Sequence, residues 1–238
     1  MKTIKLLPKN EHWYFSEKKG VYYPSVTMVT SYLPKGKFFE KYLANQESFE
    51  ESKQILQEAG ERGTRIHTAS ESLDRGQSIE YGSYSLTDEE YQLLAHGYLG
   101  WHEKYQPEIK HVELRLISDK HKLGGTLDRI YRIDGKLVLF DLKSSKTAIY
   151  DSMWLQVAAY ADMYETIYKE KIDEVAILRL TERRKDGYEY VVRDRTEWQK
   201  DLKQFKKTYD TMMYLNGGKV LEPKVIIVPE KLSLNQNE

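Results

Sequence analysis

Residues 122–143 read KLGGTLDRIYRIDGKLVLFDLK, two β-rich runs around the dipeptide Asp134-Gly135. Asp-Gly between such runs is a strong short-range signal for a two-residue hairpin turn, because both residues tolerate the left-handed backbone the turn requires. A two-residue loop sets the register: Ile133 opposes Lys136, Arg132 opposes Leu137, and each step outward follows. Continued outward, the pairing puts Asp128 opposite Asp141 on one face, with β-carbons roughly 5 Å apart. Like charges directly opposite are destabilising. Either a divalent cation, which takes several carboxylate oxygens, or a shared proton would offset the repulsion.

Side chains alternate along a strand, so Lys143 shares the face of Asp141. Leu137 and Leu139 precede them on that face, and Val138, Phe140 and Leu142 line the other. A strand apolar on both faces is central and covered. Charges gathered at its C-terminal end suggest a site, since burying them unpaired is costly. The plainer alternative is a structural Asp141–Lys143 ion pair with Asp128 as a solubilising carboxylate near the turn.

Working outward, Lys110–Ser118 alternates with Val112, Leu114 and Leu116 on one face, which predicts a third strand. Tyr150–Tyr168 reads as a helix, Glu174–Thr181 and Tyr188–Arg193 as strands, and Thr196–Leu215 as a long helix. Val220–Val228 adds a candidate edge strand, weakened by Pro223. Upstream, Thr87 and Glu90 form a capping-box signature for a helix running to about Tyr105. Further helices are expected over Lys37–Glu58 and from Gly60 to about Leu73, after an irregular stretch to about Pro34 with strand-like pieces such as Val21–Val29. The order helix, three-strand meander, helix, strand predicts an α/β domain with a mixed central sheet flanked by helices. We expect one domain over residues 1–238, its core at about 60–182, with 1–59 and 183–238 as appended elements.

The 238 residues, 40% of them hydrophobic, suffice for one sizeable core. There is no apolar run of membrane-spanning length, and the opening MKTIKLLPKNEHWYF is too short in apolar residues for a secretory signal. The expected location is cytoplasmic, in a bacterial or phage-infected cell, with a mitochondrial one left open. The absence of cysteine excludes disulfides, cysteine-ligated zinc, iron–sulfur clusters and thiol catalysis. Any metal must be held by Asp, Glu, His or carbonyl oxygen. Basic and acidic residues balance at 37 each, which argues against bulk electrostatic coating of nucleic acid but allows a local positive groove. No phosphate-binding loop of the Gly-x-x-x-x-Gly-Lys-Ser/Thr type is present, so no ATP site is expected.

Four motifs in order carry a resemblance. Gly63-Thr64-Arg65-Ile66-His67 matches Gly-x-x-x-His, and Glu71 follows one helical turn later. Gly125-Thr126-Leu127-Asp128 matches Gly-x-x-Asp, and Asp141-Leu142-Lys143 matches Asp/Glu-x-Lys. Gln156-Val157-Ala158-Ala159-Tyr160 matches Gln-x-x-x-Tyr. Together they resemble the PD-(D/E)XK nuclease superfamily, and within it the RecB-type exonuclease branch. Tyr23-Pro24-Ser25-Val26-Thr27 resembles a segment of its stand-alone phage and mitochondrial members.

The resemblance implies a restriction-endonuclease-like core and a metal-dependent deoxyribonuclease, working from DNA ends in recombination, repair or phage DNA processing. It implies His67, Asp128, Asp141 and the Leu142 carbonyl as ligands of Mg2+ or Mn2+. Lys143 would orient or deprotonate the attacking water and stabilise the pentavalent phosphate. Gln156 and Tyr160 would support the site and the DNA backbone, and Glu71 is a third substrate-side candidate that reads equally as a residue behind the ligands or on a solvated face. DNA is the expected partner, and a single-strand annealing or other recombination protein would suit such an enzyme. Many RecB-type relatives carry a cysteine-ligated iron–sulfur cluster, which this chain cannot. The alternatives are a nuclease fold that binds DNA or a partner without turnover, and a nuclease acting on RNA. His67 has a plain reading as a helix-face residue bonded to Glu71. Lys200, Lys203, Lys206 and Lys207, and Lys35 and Lys37 around Gly36, read as solvated lysines or as phosphate contacts. The histidines at 12, 96, 102, 111 and 121 have no ligand-like spacing.

Overall fold

A computed structural model describes residues 3–6, 12–33, 48–145 and 148–231. In chain order, β1 (Thr3–Leu6), β2 (Trp13–Ser16) and β3 (Val21–Pro24) precede a short helix α1 (Val26–Thr30). A long helix α2 (Phe49–Asp74) is followed by a 3-10 turn (Ser83–Ser85), α3 (Asp88–Gln92), a π-helical segment (Leu93–Tyr98) and α4 (Leu99–Tyr105). Strands β4 (Glu108–Ser118), β5 (Leu123–Ile133) and β6 (Lys136–Lys143) form the meander. Helix α5 (Asp151–Tyr168) crosses to β7 (Glu174–Leu180), and β8 (Tyr188–Asp194), α6 (Arg195–Leu215) and β9 (Ile226–Pro229) complete the described chain.

The central sheet has the order β4-β5-β6-β7-β8, antiparallel except for the parallel β6–β7 pair joined through α5. The hairpin follows its turn chemistry. Asp134 and Gly135 take φ of 49° and 78°, and β5 pairs with β6 from Ile133↔Lys136 as far as Arg129↔Phe140.

Strand β6 is covered on both faces, as its sequence implies. Leu137 and Leu139 pack into one core with α1, α5 and α6 residues such as Val29, Trp154 and Phe205. Val138, Phe140 and Leu142 enter a second core with Ile66 of α2, Tyr98 of the π segment and Trp101 of α4. The sheet is thus the middle of three layers, with helices burying its two apolar faces.

Several sequence expectations change. The predicted break at Gly60 is absent, and α2 runs unbroken through it. A helical glycine costs about 1 kcal/mol, and flanking Glu58, Ala59, Glu61 and Arg62 are strong helix formers that carry the helix across. Residues 37–47 of the helix expected at Lys37–Glu58 lie outside the described residues, as do Lys35 and Gly36. The strand-like run Val21–Val29 splits at Ser25, whose hydroxyl accepts from Met28 N at 3.0 Å and starts α1. Val26 and Val29, both fully buried, then supply one helical face against the core. Of the candidate strand Val220–Val228, the part from Ile226 pairs with β1 among the described residues. The capping box at Thr87 and Glu90 is formed. No described helix is long and apolar enough to cross a membrane.

Candidate metal centre and active site

The site lies where β5 and β6 part. The β6 ladder with β7 continues through Asp141↔Ile177 to Lys143↔Arg179, whereas its ladder with β5 stops at Arg129↔Phe140. The expected Asp128–Asp141 pair is the next step, and the structure does not form it as a ladder pair. The reason is a local irregularity in β5. Leu127 and Ile130, three apart, both enter the same core, although strict alternation would send them to opposite faces. In place of a backbone partner, Leu142 N donates to Asp128 Oδ2 at 2.8 Å. Asp128 thereby caps the free edge of β6 with its side chain.

Helix α2 brings His67 over this gap. Its Nε2 lies 2.9 Å from the Leu142 carbonyl oxygen, which can only accept, so Nε2 carries the hydrogen. The other ring nitrogen, Nδ1, faces Asp128 Oδ2 at 3.5 Å. A backbone acceptor on one nitrogen, with the other aimed at a carboxylate, is the arrangement that orients metal-binding imidazoles. Glu71 does not bond His67; its Oε1 accepts from Arg75 Nε and Nη2 at 3.0 and 2.7 Å. It lines, with Gly63, His67 and Glu113, an open cleft of about 410 Å³.

Glu113 on β4 was missed by sequence reasoning. Donor atoms of His67, Glu113 and Asp128 lie within 4.8 Å of one another. The β4–β5 ladder shows why: Val112↔Arg129 and Leu114↔Leu127 bracket Glu113 and Asp128 as opposite neighbours. Glu113 itself takes φ 51°, an unfavourable backbone for a non-glycine residue in a strand, and strain of this kind costs roughly 1–3 kcal/mol. Its position on the polar face of an alternating strand was the available signal. Without a two-residue turn between β4 and β5, nothing local set the register that brings it to Asp128.

Asp141 and Lys143 occupy the floor. Asp141 is 2% exposed, and Lys143 Nζ lies 2.7 Å from its Oδ2. Burial pushes the Asp141 carboxyl up to about 6; Lys143 pulls it down and the charge of Asp128 pushes it up again. Burial also raises Glu113, with Asp128 adding to the effect and Arg129 opposing it. The buried Asp141 and half-buried Glu113 carboxylates, both held above their usual range, form with the imidazole a hard oxygen and nitrogen donor set. Such a set fits a divalent cation, and the Leu142 carbonyl has a second lone pair beyond the one that accepts from His67.

Helix α5 closes the far side. Tyr160 is buried, and burial raises its phenol well above the usual range. Gln156, one turn earlier, hydrogen-bonds it, and the charges of Asp141 and Asp128 reach it. His67, Asp128, Asp141, Leu142 and Lys143 thus lie around one gap, Tyr160 is within reach of its charges with Gln156 bonded to it, and Glu71 lines the cleft. The lysine track on α6 is exposed, and Lys206 is engaged by Asp162 at 3.1 Å. Among the histidines given no role, His102 pairs with Asp74 and His121 with Asp162.

Comparison with known proteins adds the following. A family model described as the PD-(D/E)XK nuclease superfamily matches residues 13–225. No curated protein matches the chain. Among solved structures, a protein from Eubacterium rectale designated an exonuclease is 13% identical, with TM-score 0.45, and the match covers 68% of this chain and 70% of that one. The alkaline exonuclease LHK-Exo from Laribacter hongkongensis, in its complex with dAMP, is 11% identical with TM-score 0.38, covering 82% and 93%.

Proposed function

The chain belongs to the PD-(D/E)XK nuclease superfamily, and from that premise we propose that it is a Mg2+- or Mn2+-dependent deoxyribonuclease that degrades DNA from its ends. The observation that carries the reading is the meeting of His67, Glu113 and Asp128 within 4.8 Å, beside the buried Asp141 and its partner Lys143. Asp128, Asp141, Glu113, His67 Nδ1 and the Leu142 carbonyl would hold the cation. When bound, the cation supplies charge neutralisation at the phosphate and a lowered pKa for water.

The chain's own groups do the rest. Lys143 puts an ammonium at the floor of the gap, where negative charge on a phosphate would develop, and a preorganised charge there needs no reorganisation during reaction. Asp141 keeps that ammonium charged and in place: burial would lower the Lys143 pKa, and the Asp141 and Asp128 charges raise it. Gln156 and Tyr160 back the floor from α5 and would steady the DNA backbone. The motif order of the RecB-type branch favours end-dependent cleavage, in recombination, repair or phage DNA processing.

The deciding experiment incubates end-labelled linear DNA, covalently closed circular DNA and RNA with the purified protein, each with Mg2+, Mn2+ or chelator. Loss of linear DNA alone, abolished by chelator, is the expected result. Cutting of circles would overturn the exonuclease reading. Preference for RNA would overturn the substrate, and DNA bound but uncut with either metal would overturn turnover itself.

A further inference from the structure

Arg129 follows Asp128 in β5 and is fully buried. An unpaired buried guanidinium would be costly, and this one is surrounded by acceptors. Nε donates to Asp74 Oδ2. Nη2 donates to Ser70 Oγ at 2.9 Å, and Nη1 donates to Glu113 Oε1 at 3.0 Å and to the Asp128 carbonyl at 3.3 Å. Asp74 is itself held by the hydroxyls of Tyr98 and Tyr131, with His102 Nε2 at 3.2 Å.

The geometry joins two parts of the molecule. Ser70 and Asp74 follow His67 by three and seven residues on α2 and so lie on its side of the helix. The guanidinium grips that side of α2 with Nε and Nη2, and reaches Glu113 with Nη1. One rigid planar fork therefore spans from α2 to the Glu113 carboxylate and sets the direction of that carboxylate. A lysine could neutralise the same charge but could not span both ends.

We propose that Arg129 is a positioning residue of the metal centre, holding Glu113 toward His67 and Asp128 from within the core. This rests on the reading of Glu113 as a ligand. Groups that orient metal ligands from behind usually change metal affinity about 10–100-fold when replaced.

The test measures Mn2+ binding by titration calorimetry and electron paramagnetic resonance on the full chain, with circular dichroism as a fold check. Glu113→Gln is expected to weaken Mn2+ binding about tenfold or more, and Arg129→Lys to weaken it by a similar factor. The double variant should be no weaker than Glu113→Gln alone, because Arg129 acts through Glu113. Arg195→Lys, which disturbs the partly buried Arg195–Glu165 pair at the far end of α5, should lower Tm without moving Mn2+ affinity. If Glu113→Gln binds Mn2+ as wild type does, the ligand reading of Glu113 fails, and this inference with it. If Glu113→Gln weakens binding but a folded Arg129→Lys does not, or if the two losses multiply, only the role of Arg129 is overturned. Should Arg129→Lys not fold, Ser70→Ala removes one acceptor without burying a charge. A smaller loss of Mn2+ affinity is then expected, and unchanged affinity in folded Ser70→Ala overturns the proposal.

Discussion

The ring of Tyr160 fills the space that a side chain on Gly125 would need. A β-carbon there would lie 2.3 Å from Cε1 and 3.0 Å from both Cζ and the phenol oxygen. The glycine of the Gly-x-x-Asp motif is thus a steric requirement of the tyrosine in the Gln-x-x-x-Tyr motif. Gly125→Ala is expected to destabilise the protein by about 1–3 kcal/mol through overpacking, read from urea unfolding, and to slow cleavage by displacing Tyr160. Because the two residues touch, Gly125→Ala combined with Tyr160→Ala should cost less than the separate losses added. Full additivity would show that the contact is unimportant.

Lys143→Met should reduce DNA cleavage on the order of 10²–10³-fold, the usual loss when one preorganised charge is removed from a transition state. Mn2+ binding should survive or tighten, since Asp141 Oδ2 loses the ammonium that competes for it. Parallel calorimetry and single-turnover digestion separate the two effects. Wild-type cleavage in this variant would remove Lys143 from the mechanism.

The site also sets a pH dependence. The Asp141 carboxyl is raised by burial to about 6 from an ordinary 3.8, so the folded chain holds that proton longer than the unfolded one. Its contribution to the stability of the metal-free protein is full below pH 3.8 and is lost as pH rises through about 6. Cation binding needs the ionised form, so metal affinity should rise over the same window. Asp74 has the opposite sign. Burial alone would raise it, but His102, Arg129 and Tyr98 outweigh burial and hold it below its usual value. Its contribution is present above the ordinary carboxylate range and is lost as pH falls below that range. Thermal melts with chelator and with Mn2+, at intervals between about pH 3 and 8, should show the metal-induced rise in Tm growing through pH 6. A metal effect that does not vary across that window would contradict the assignment of Asp141.

Arg129→Met should destabilise the fold by about 3–5 kcal/mol, because it leaves Asp74 buried without its cation. Both side chains are fully buried. Chemical denaturation gives the number. A loss under about 1 kcal/mol, in the range of exposed pairs, would show that the Tyr98, Tyr131 and His102 contacts suffice to hold Asp74.

Much of this site was legible in 22 residues. Asp134-Gly135 announced the hairpin, and its register was followed by the structure through Arg129↔Phe140. The alternation of Leu137 to Leu142 announced a strand covered on both faces. The same register, extended one step, predicted an Asp128–Asp141 ladder pair that the kink in β5 prevents. Extrapolation along a strand fails at this gap because Asp128 there bonds Leu142 N with its side chain in place of a ladder partner.

By itself, then, the sequence determined the hairpin, the covered strand and the gathering of Asp128, Asp141 and Lys143 near its end. These follow from turn chemistry and period-two alternation, which act over a few residues. Only the tertiary structure decided that Glu113 stands opposite Asp128, that His67 presents Nδ1 to Asp128, and that Arg129 ties Glu113 to Asp74. Those contacts join residues tens of positions apart. Their register is set by how α2 and β4 pack on the sheet, and no local rule reaches that far.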